Sequence, residues 1–242
     1  MIYVVQPGGT LWRIARQYGV TAAQIAALNQ IPDPDVLVVG QALLILNRIK
    51  QGHLTIDVGA MPIRTSVPGR CGRRCRFSAS WRCFPTASRR RGSCCLLGQS
   101  ADRVLLMTYE WGYKYGPPMA VAPLEQMRRV VECALTEIPA EKISLGLPNY
   151  GYDWPLPFTK KVTVARTIGN VEAVEIAKRE KTNILFDWES KSPWFRYTDD
   201  GGVIHEVWFE DVRSWKYKLD LLREYGLAGV GIWQLMQLFF TG

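Results

Sequence analysis

Apolar positions fall into short periodic groups at both ends of the chain, and the period changes from group to group. Residues 2–5 (IYVV) are a brief apolar run that reads as a strand, ended by the turn QPGG. Thr10 stands at a helix N-cap, where a hydroxyl can accept a hydrogen bond from an unpaired first-turn amide. Leu11, Ile14, Ala15 and Tyr18 then recur at i, i+3, i+4 and i+7, one face of a helix, and Gly19 supplies its stop. Thr21 with Gln24 has capping-box spacing, and Ile25 and Leu28 predict a second amphipathic helix. The loop IPDPD leads through VGQ to an apolar run at 42–46, a second strand. The first 46 residues therefore read as strand–helix–helix–strand.

NRIKQGH (47–53) is polar and reads as a linker, and LTIDVGAM, within 54–63, reads as a buried strand. Order returns at about residue 101 with RVLLMTY. Pro123 opens a predicted helix with Leu124, Met127, Val131 and Leu135 on one side. KISLGLP reads as a strand. Asn170 is a candidate cap for a helix reaching Lys181, and Asp211 for one reaching Tyr225 and closed by Gly226. GVGIW is a last strand. Strands alternating with helices predict an α/β fold with a parallel sheet or barrel.

The hydrophobic content of 48% over 242 residues is enough to bury a core. No apolar run approaches the roughly 20 residues that cross a bilayer. MIYVVQPGG lacks the basic and apolar regions of a secretory signal, so export by the general route is not expected. A net charge of +8 first suggests a nucleic-acid partner. Nine Arg fall between Arg64 and Ser100, however, with no Lys, Asp or Glu, and the other 21 basic residues balance 22 acids. The excess belongs to one segment, and neither a nucleic-acid nor a membrane partner is expected. Cys71, Cys75, Cys83, Cys94 and Cys95 lie in the same segment, with Cys133 alone outside it. Their spacing suits neither a disulfide framework nor paired zinc knuckles, and His53 and His205 are the only histidines. No metal or cofactor is expected.

With GxTLWxIA, an Asn ending the second helix and VGQxLxI, residues 1–46 resemble the LysM domain over its whole length. The resemblance implies binding of N-acetylglucosamine polymers, peptidoglycan or chitin, in a shallow groove between two loops. Gly8, Gly9, Thr10 and Leu11 would form one wall, facing Ile31, Pro32 and Leu37. Gly9 stands where the family usually has Asp, which would weaken one polar contact. Leu11, Ile14 and Leu28 also suit a plain core role.

Residues 101–242 resemble the C-terminal half of a family 18 glycoside hydrolase, within the LysM-bearing spore-cortex and germination glucosaminidases. The carriers are LLMTYEWGYKYGPPMAVAP, ISLGLPNYGYDW, WFEDVRSWKYKL and GVGIW. They match strands six, seven and eight of a (β/α)8 barrel and the helix before strand eight, and LTIDVGAM looks like strand one. Active sites of such barrels sit at the C-terminal strand ends. Tyr109, Glu110 and Trp111, then Asn149 and Tyr150, then Trp233 occupy those ends. The family's chemistry is substrate-assisted: the acetamido oxygen attacks the anomeric carbon while one Glu protonates the leaving oxygen. Tyr109 would support the acetamido group. Trp233 would floor the pocket, since an aromatic face packs on a sugar's C–H face.

The acid has no counterpart. The family carries it in D-x-x-D-x-D-x-E after strand four, and no segment fits. Asp187 and Glu189 in LFDWE imitate the last D-x-E, but Leu185 and Thr182 stand where Asp is required. That segment follows strand seven, where the family has an inserted lobe. Leaving residues 64–100 aside, 154 residues remain after residue 51, against about 250 for a whole barrel. An open remnant with unpaired strand edges is expected, which is an aggregation hazard.

Residues 64–100 have no sustained periodicity. Arg with Phe77, Trp81 and Phe84 would fit a nucleic-acid-binding arm, and the Pro/Ser/Arg content would fit a disordered linker, although Cys and Trp would not. Out-of-frame translation of GC-rich DNA fits the whole composition and explains why the stretch replaces half a barrel. The expected architecture is a small βααβ module followed by an incomplete (β/α)8 barrel. The expected role is binding of N-acetylglucosamine polymers in the spore cortex, spore coat or cell envelope, without hydrolysis. The rivals are an active N-acetylglucosaminidase and, more weakly, a nucleic-acid binder.

Overall fold

A computed structural model describes residues 1–46 and 101–233. The expected linker, the strand within 54–63 and the Arg/Cys-rich stretch lie outside the described residues. At the N-terminus, β1 (Ile2–Val4), α1 (Leu11–Tyr18), α2 (Ala22–Asn29) and β2 (Ala42–Leu44) appear in the anticipated order. Helices of eight residues are marginal by themselves, so their caps and packing decide. The Thr10 hydroxyl accepts from Arg13 N at 3.3 Å, and Gly19 ends α1 at φ +66°. Thr21 and Gln24 exchange both capping-box hydrogen bonds. Asn29 clamps β2: its Nδ2 donates to Leu44 O and its Oδ1 accepts from Leu44 N, at 2.8 and 2.6 Å. β1 and β2 pair antiparallel with Tyr3 opposite Leu43. Leu11, Ile14, Ile25, Leu43 and Ile45 form a closed core. Leu28 departs from expectation, being 38% exposed, because the buried side of α2 runs through Ala22, Ile25 and Ala26 instead.

From residue 101 the order is β3 (Val104–Leu106), α3 (Leu124–Leu135), β4 (Ile143–Pro148), β5 (Gly151–Pro155), β6 (Arg166–Ile168), α4 (Asn170–Arg179), β7 (Leu185–Asp187), β8 (Ser192–Thr198), β9 (Ile204–Trp208), α5 (Val212–Glu224) and β10 (Gly229–Trp233). β3, β4 and β10 make a parallel sheet in the order β10–β4–β3, as three successive barrel strands do. Met127 and Val131 of α3, Leu221 of α5 and Ile143, Leu145 and Leu147 of β4 fill the layer between sheet and helices. Gly146 lets β3 approach β4, since a Cβ there would lie 2.4 Å from Leu106 O. The barrel is not closed among the described residues. The sheet exposes Leu105, Met107, Val230, Ile232 and Trp233, an apolar row of the kind on which chains associate.

Between β4 and α5 the strand–helix alternation predicted from sequence gives way to a lobe. Its five strands pair antiparallel in the order β6–β5–β9–β8–β7. The strands run three to seven residues and β8 is buried on successive positions, so their apolar pattern does not separate from the surrounding loops. α4 packs on the lobe through Ala173, Ile176 and Ala177 against Phe195, Val207 and Phe209. Asn170 is not the cap of α4, which is Gly169. Asp211 does cap α5, accepting from Arg213 N and Ser214 N.

Candidate functional site

The C-terminal ends of β3, β4 and β10 bring the expected residues together, but they divide into two kinds. Tyr109, just past β3, lies parallel to Trp233 at the end of β10, with ring planes 11° apart and centroids at 6.5 Å. Trp233 is 53% exposed and offers an open aromatic face. Glu110 turns out of the strand at φ +70°, a conformation that residues with a Cβ rarely take. Its carboxylate accepts hydrogen bonds from Tyr150 Oη and from Tyr152 Oη, the latter at 2.9 Å. Tyr152 was missed at the sequence level. The signal was available, because Tyr150 and Tyr152 stand two apart and so share one side of an extended segment. Their rings meet edge to face at 5.6 Å.

Trp111 and Asn149 are supports rather than open surfaces. Trp111 packs on the core below the sheet, and its amide donates to Val121 O at 3.0 Å. Asn149 is 2% exposed. Its amide donates to Trp233 O at 2.7 Å, and its Oδ1 accepts from Asn170 Nδ2 at 3.2 Å. Asn170 Oδ1 in turn accepts from Glu210 N at 3.0 Å. Beyond it the buried Glu210 pairs with Lys218 of α5, both fully enclosed. A polar chain thus runs from the strand end that holds Trp233 into the lobe and α5.

Burial first, then Glu110, pushes the phenols of Tyr109, Tyr150 and Tyr152 above the ordinary tyrosine range. All three therefore stay protonated donors at neutral pH. A raised folded pKa means that the folded state holds its protons longer than the unfolded chain, whose tyrosines titrate near about 10. The stability they contribute is complete below that pH and falls as pH rises above it. We expect urea midpoints to be flat from neutral pH to the onset of tyrosine ionisation and to drop beyond it. Glu110→Gln should soften the drop, and an unchanged profile in that variant would remove Glu110 as a cause.

LFDWE lies in the lobe, on β7 and the turn after it. Asp187 Oδ2 accepts from Ser190 N and Ser190 Oγ at 2.8 and 2.5 Å, closing the β7–β8 turn, and Glu189 is exposed. Among the described residues no group of His, Cys, Asp and Glu is placed to hold a metal.

At the N-terminal module, Gly8 takes φ +72° in the turn before α1. A Cβ on Gly9 would lie 2.9 Å from Gln6 O, so an Asp there would need the turn to shift. Gly40 N donates to Val5 O and Val5 N donates to Gln41 O, both at 2.9 Å, which stitches the two loops side by side. Gly8, Thr10 and Pro32 are exposed, and Ile31 and Leu37 rest half-buried on the core. Leu11 does not belong with them: its side chain is wholly buried, as its place on the apolar face of α1 requires. Trp12, 70% exposed beside Thr10, was overlooked because it lies off that face.

Two family models match the chain, the LysM domain over residues 3–46 and Glycosyl hydrolases family 18 over residues 73–237. The second match begins inside the Arg/Cys-rich stretch. The chain is 49% identical over 138 residues to the cortical fragment-lytic enzyme of Bacillus subtilis (strain 168), covering 57% of this chain and 32% of that protein. It thus spans about a third of the length of such relatives. The crystal structure of the Bacillus megaterium QM B1551 spore cortex-lytic enzyme SleL shares the fold, with a TM-score of 0.75 at 22% identity over 97% of this chain and 94% of that one. A chitinase from Chromobacterium violaceum ATCC 12472 is similar over 59% of this chain and 44% of its own, at 29% identity and a TM-score of 0.55. Three parallel strands bearing Tyr109, Glu110, Tyr150 and Trp233 at their ends, an inserted antiparallel lobe and a match over residues 73–237 agree: the chain carries a LysM domain and belongs to glycosyl hydrolase family 18.

Proposed function

We propose that the protein binds N-acetylglucosamine-containing envelope glycan, the peptidoglycan of the spore cortex foremost, and that it does not cleave it as encoded. The observation that carries the binding half is the intact LysM core with its two loops stitched together and open to solvent at Gly8, Thr10 and Pro32. The cortical fragment-lytic relatives support cortex over chitin and support a location at the spore cortex or cell envelope. No helix among the described residues is long and apolar enough to cross a membrane. At the strand ends, Trp233 supplies a sugar platform, Tyr109 a neutral hydroxyl and Glu110 an acceptor for sugar hydroxyls. Asn149 and Trp111 hold these groups in place.

Residues 1–46 expressed alone are expected to fold and to sediment with insoluble peptidoglycan. Affinity for one module should be weak, because a shallow groove buries little area. A folded fragment that stays in the supernatant would remove the binding half of the reading.

The enzymatic alternative has one observation in its favour, the carboxyl of Glu110 beside Tyr109. Both hydrogen bonds that Glu110 makes are accepted ones, from Tyr150 and Tyr152. Both fall on Oε1, so the two phenols engage that oxygen as a shared acceptor.

A further inference from the structure

We infer that the LysM module is docked on the inserted lobe as a fixed part of one body, so that its glycan groove keeps a set direction to the strand-end site. The docking element is the end of the α2–β2 loop. Val38 is 6% exposed, and it is buried in the lobe's own apolar cluster, against Ile168, Ala173, Ile176, Ala177 and Ile184. Ile184 N donates to Val39 O at 2.9 Å, a main-chain hydrogen bond across the two modules. Gly40 brings the backbones close: a Cβ there would lie 1.8 Å from Ile184 O. β2 lies beside α5 on the same side.

These contacts differ from what a flexible tether leaves behind. Inter-domain surfaces within a chain are usually polar, and motion is the default where the interface is not hydrophobic. Here an aliphatic side chain enters a core, and a backbone amide that would be buried without a partner gains one. The loop has two jobs. Its first part carries Ile31, Pro32 and Leu37 toward the groove, and Val38, Val39 and Gly40 grip the lobe. The exposed turn at Gly8–Thr10 is not part of the contact, so docking leaves the groove open. The consequence for glycan direction rests on the binding reading above, whereas the docking does not.

Backbone ¹⁵N relaxation in the full chain tests the inference directly. Docking predicts that amides of residues 1–46 tumble with the same correlation time as those of the lobe, and that the Ile184 amide exchanges slowly. Val38→Asp should release the module, giving its amides a severalfold shorter correlation time and exposing Ile184 to exchange, while sedimentation with peptidoglycan persists. A parent protein in which residues 1–46 already tumble independently would overturn the proposal, whatever the variant does. Should Val38→Asp unfold the module, Val38→Ala provides the milder comparison, with partial loss of Ile184 protection expected. Loss of glycan binding with shared tumbling intact would count against the binding reading and leave the docking standing.

Discussion

Purified protein incubated with muropeptides or chito-oligomers is expected to release no product above a buffer control. General acid catalysis typically contributes about 10²–10⁴-fold, and the residues that orient the substrate contribute separately. Tyr109 and Trp233 stack at the strand ends, where the family resemblance would make them acetamido support and pocket floor, but the segment that carries the family's acid has no counterpart in the sequence. The check is turnover of a chromogenic N-acetylglucosaminide by the parent and by Tyr109→Phe, which should be equal at background. Robust hydrolysis that disappears in Tyr109→Phe would sink the prediction. Hydrolysis that also disappears in Glu110→Gln would put the missing acid at Glu110.

Lys218→Met is expected to destabilise the C-terminal unit by about 3–5 kcal/mol, a large share of the ~5–15 kcal/mol of a typical domain. Glu210 and Lys218 are both fully buried; the ammonium donates to Glu210 Oε2, and Glu210 Oε1 has no hydrogen-bond partner. Burial drives both groups toward their neutral forms, raising the Glu210 pKa and lowering that of Lys218, and their pairing opposes it. Removing the ammonium leaves a carboxyl that neither water nor a cation can reach. The double variant Lys218→Met, Glu210→Leu should recover most of the loss, because a buried pair replaced by apolar groups is often near neutral. Urea midpoints of the parent, both single variants and the double variant measure the cycle. A Lys218→Met chain as stable as the parent would show that water reaches Glu210. Because Glu210 N also holds Asn170, and Asn170 holds Asn149, the single variant should also broaden the Trp233 fluorescence environment.

The N-terminal module was legible in the sequence almost residue by residue, because the contacts that set its helices are local. Thr10, Gly19, the Thr21–Gln24 pair and the Leu11–Ile14–Ala15 face act within one or two helical turns. The barrel strands were legible for a related reason: each is a short apolar run, and the helix before the last is framed by Asp211 and Gly226. Leu11 and Leu28 show the limit of that reading. Helical period says which residues share a face, but which faces meet is set by where the second helix and strand close over them. The lobe's place came only from the family resemblance, and its strands went unread because they pair across intervals of up to dozens of residues and its edge runs are too short to carry a pattern of their own.

Sequence by itself determined the two modules, their order, the residues at the strand ends and the absence of the family's acid motif. The tertiary structure decided what those residues do. It put Glu110 under two tyrosine hydroxyls, buried Asn149 with its main-chain amide on Trp233 O, and buried Lys218 against Glu210. It also seated Val38 in the lobe rather than in its own module. The reason is physical. Caps and periodicity are local and are written in neighbouring residues, whereas burial and hydrogen-bond partnership depend on which distant surfaces exclude water together.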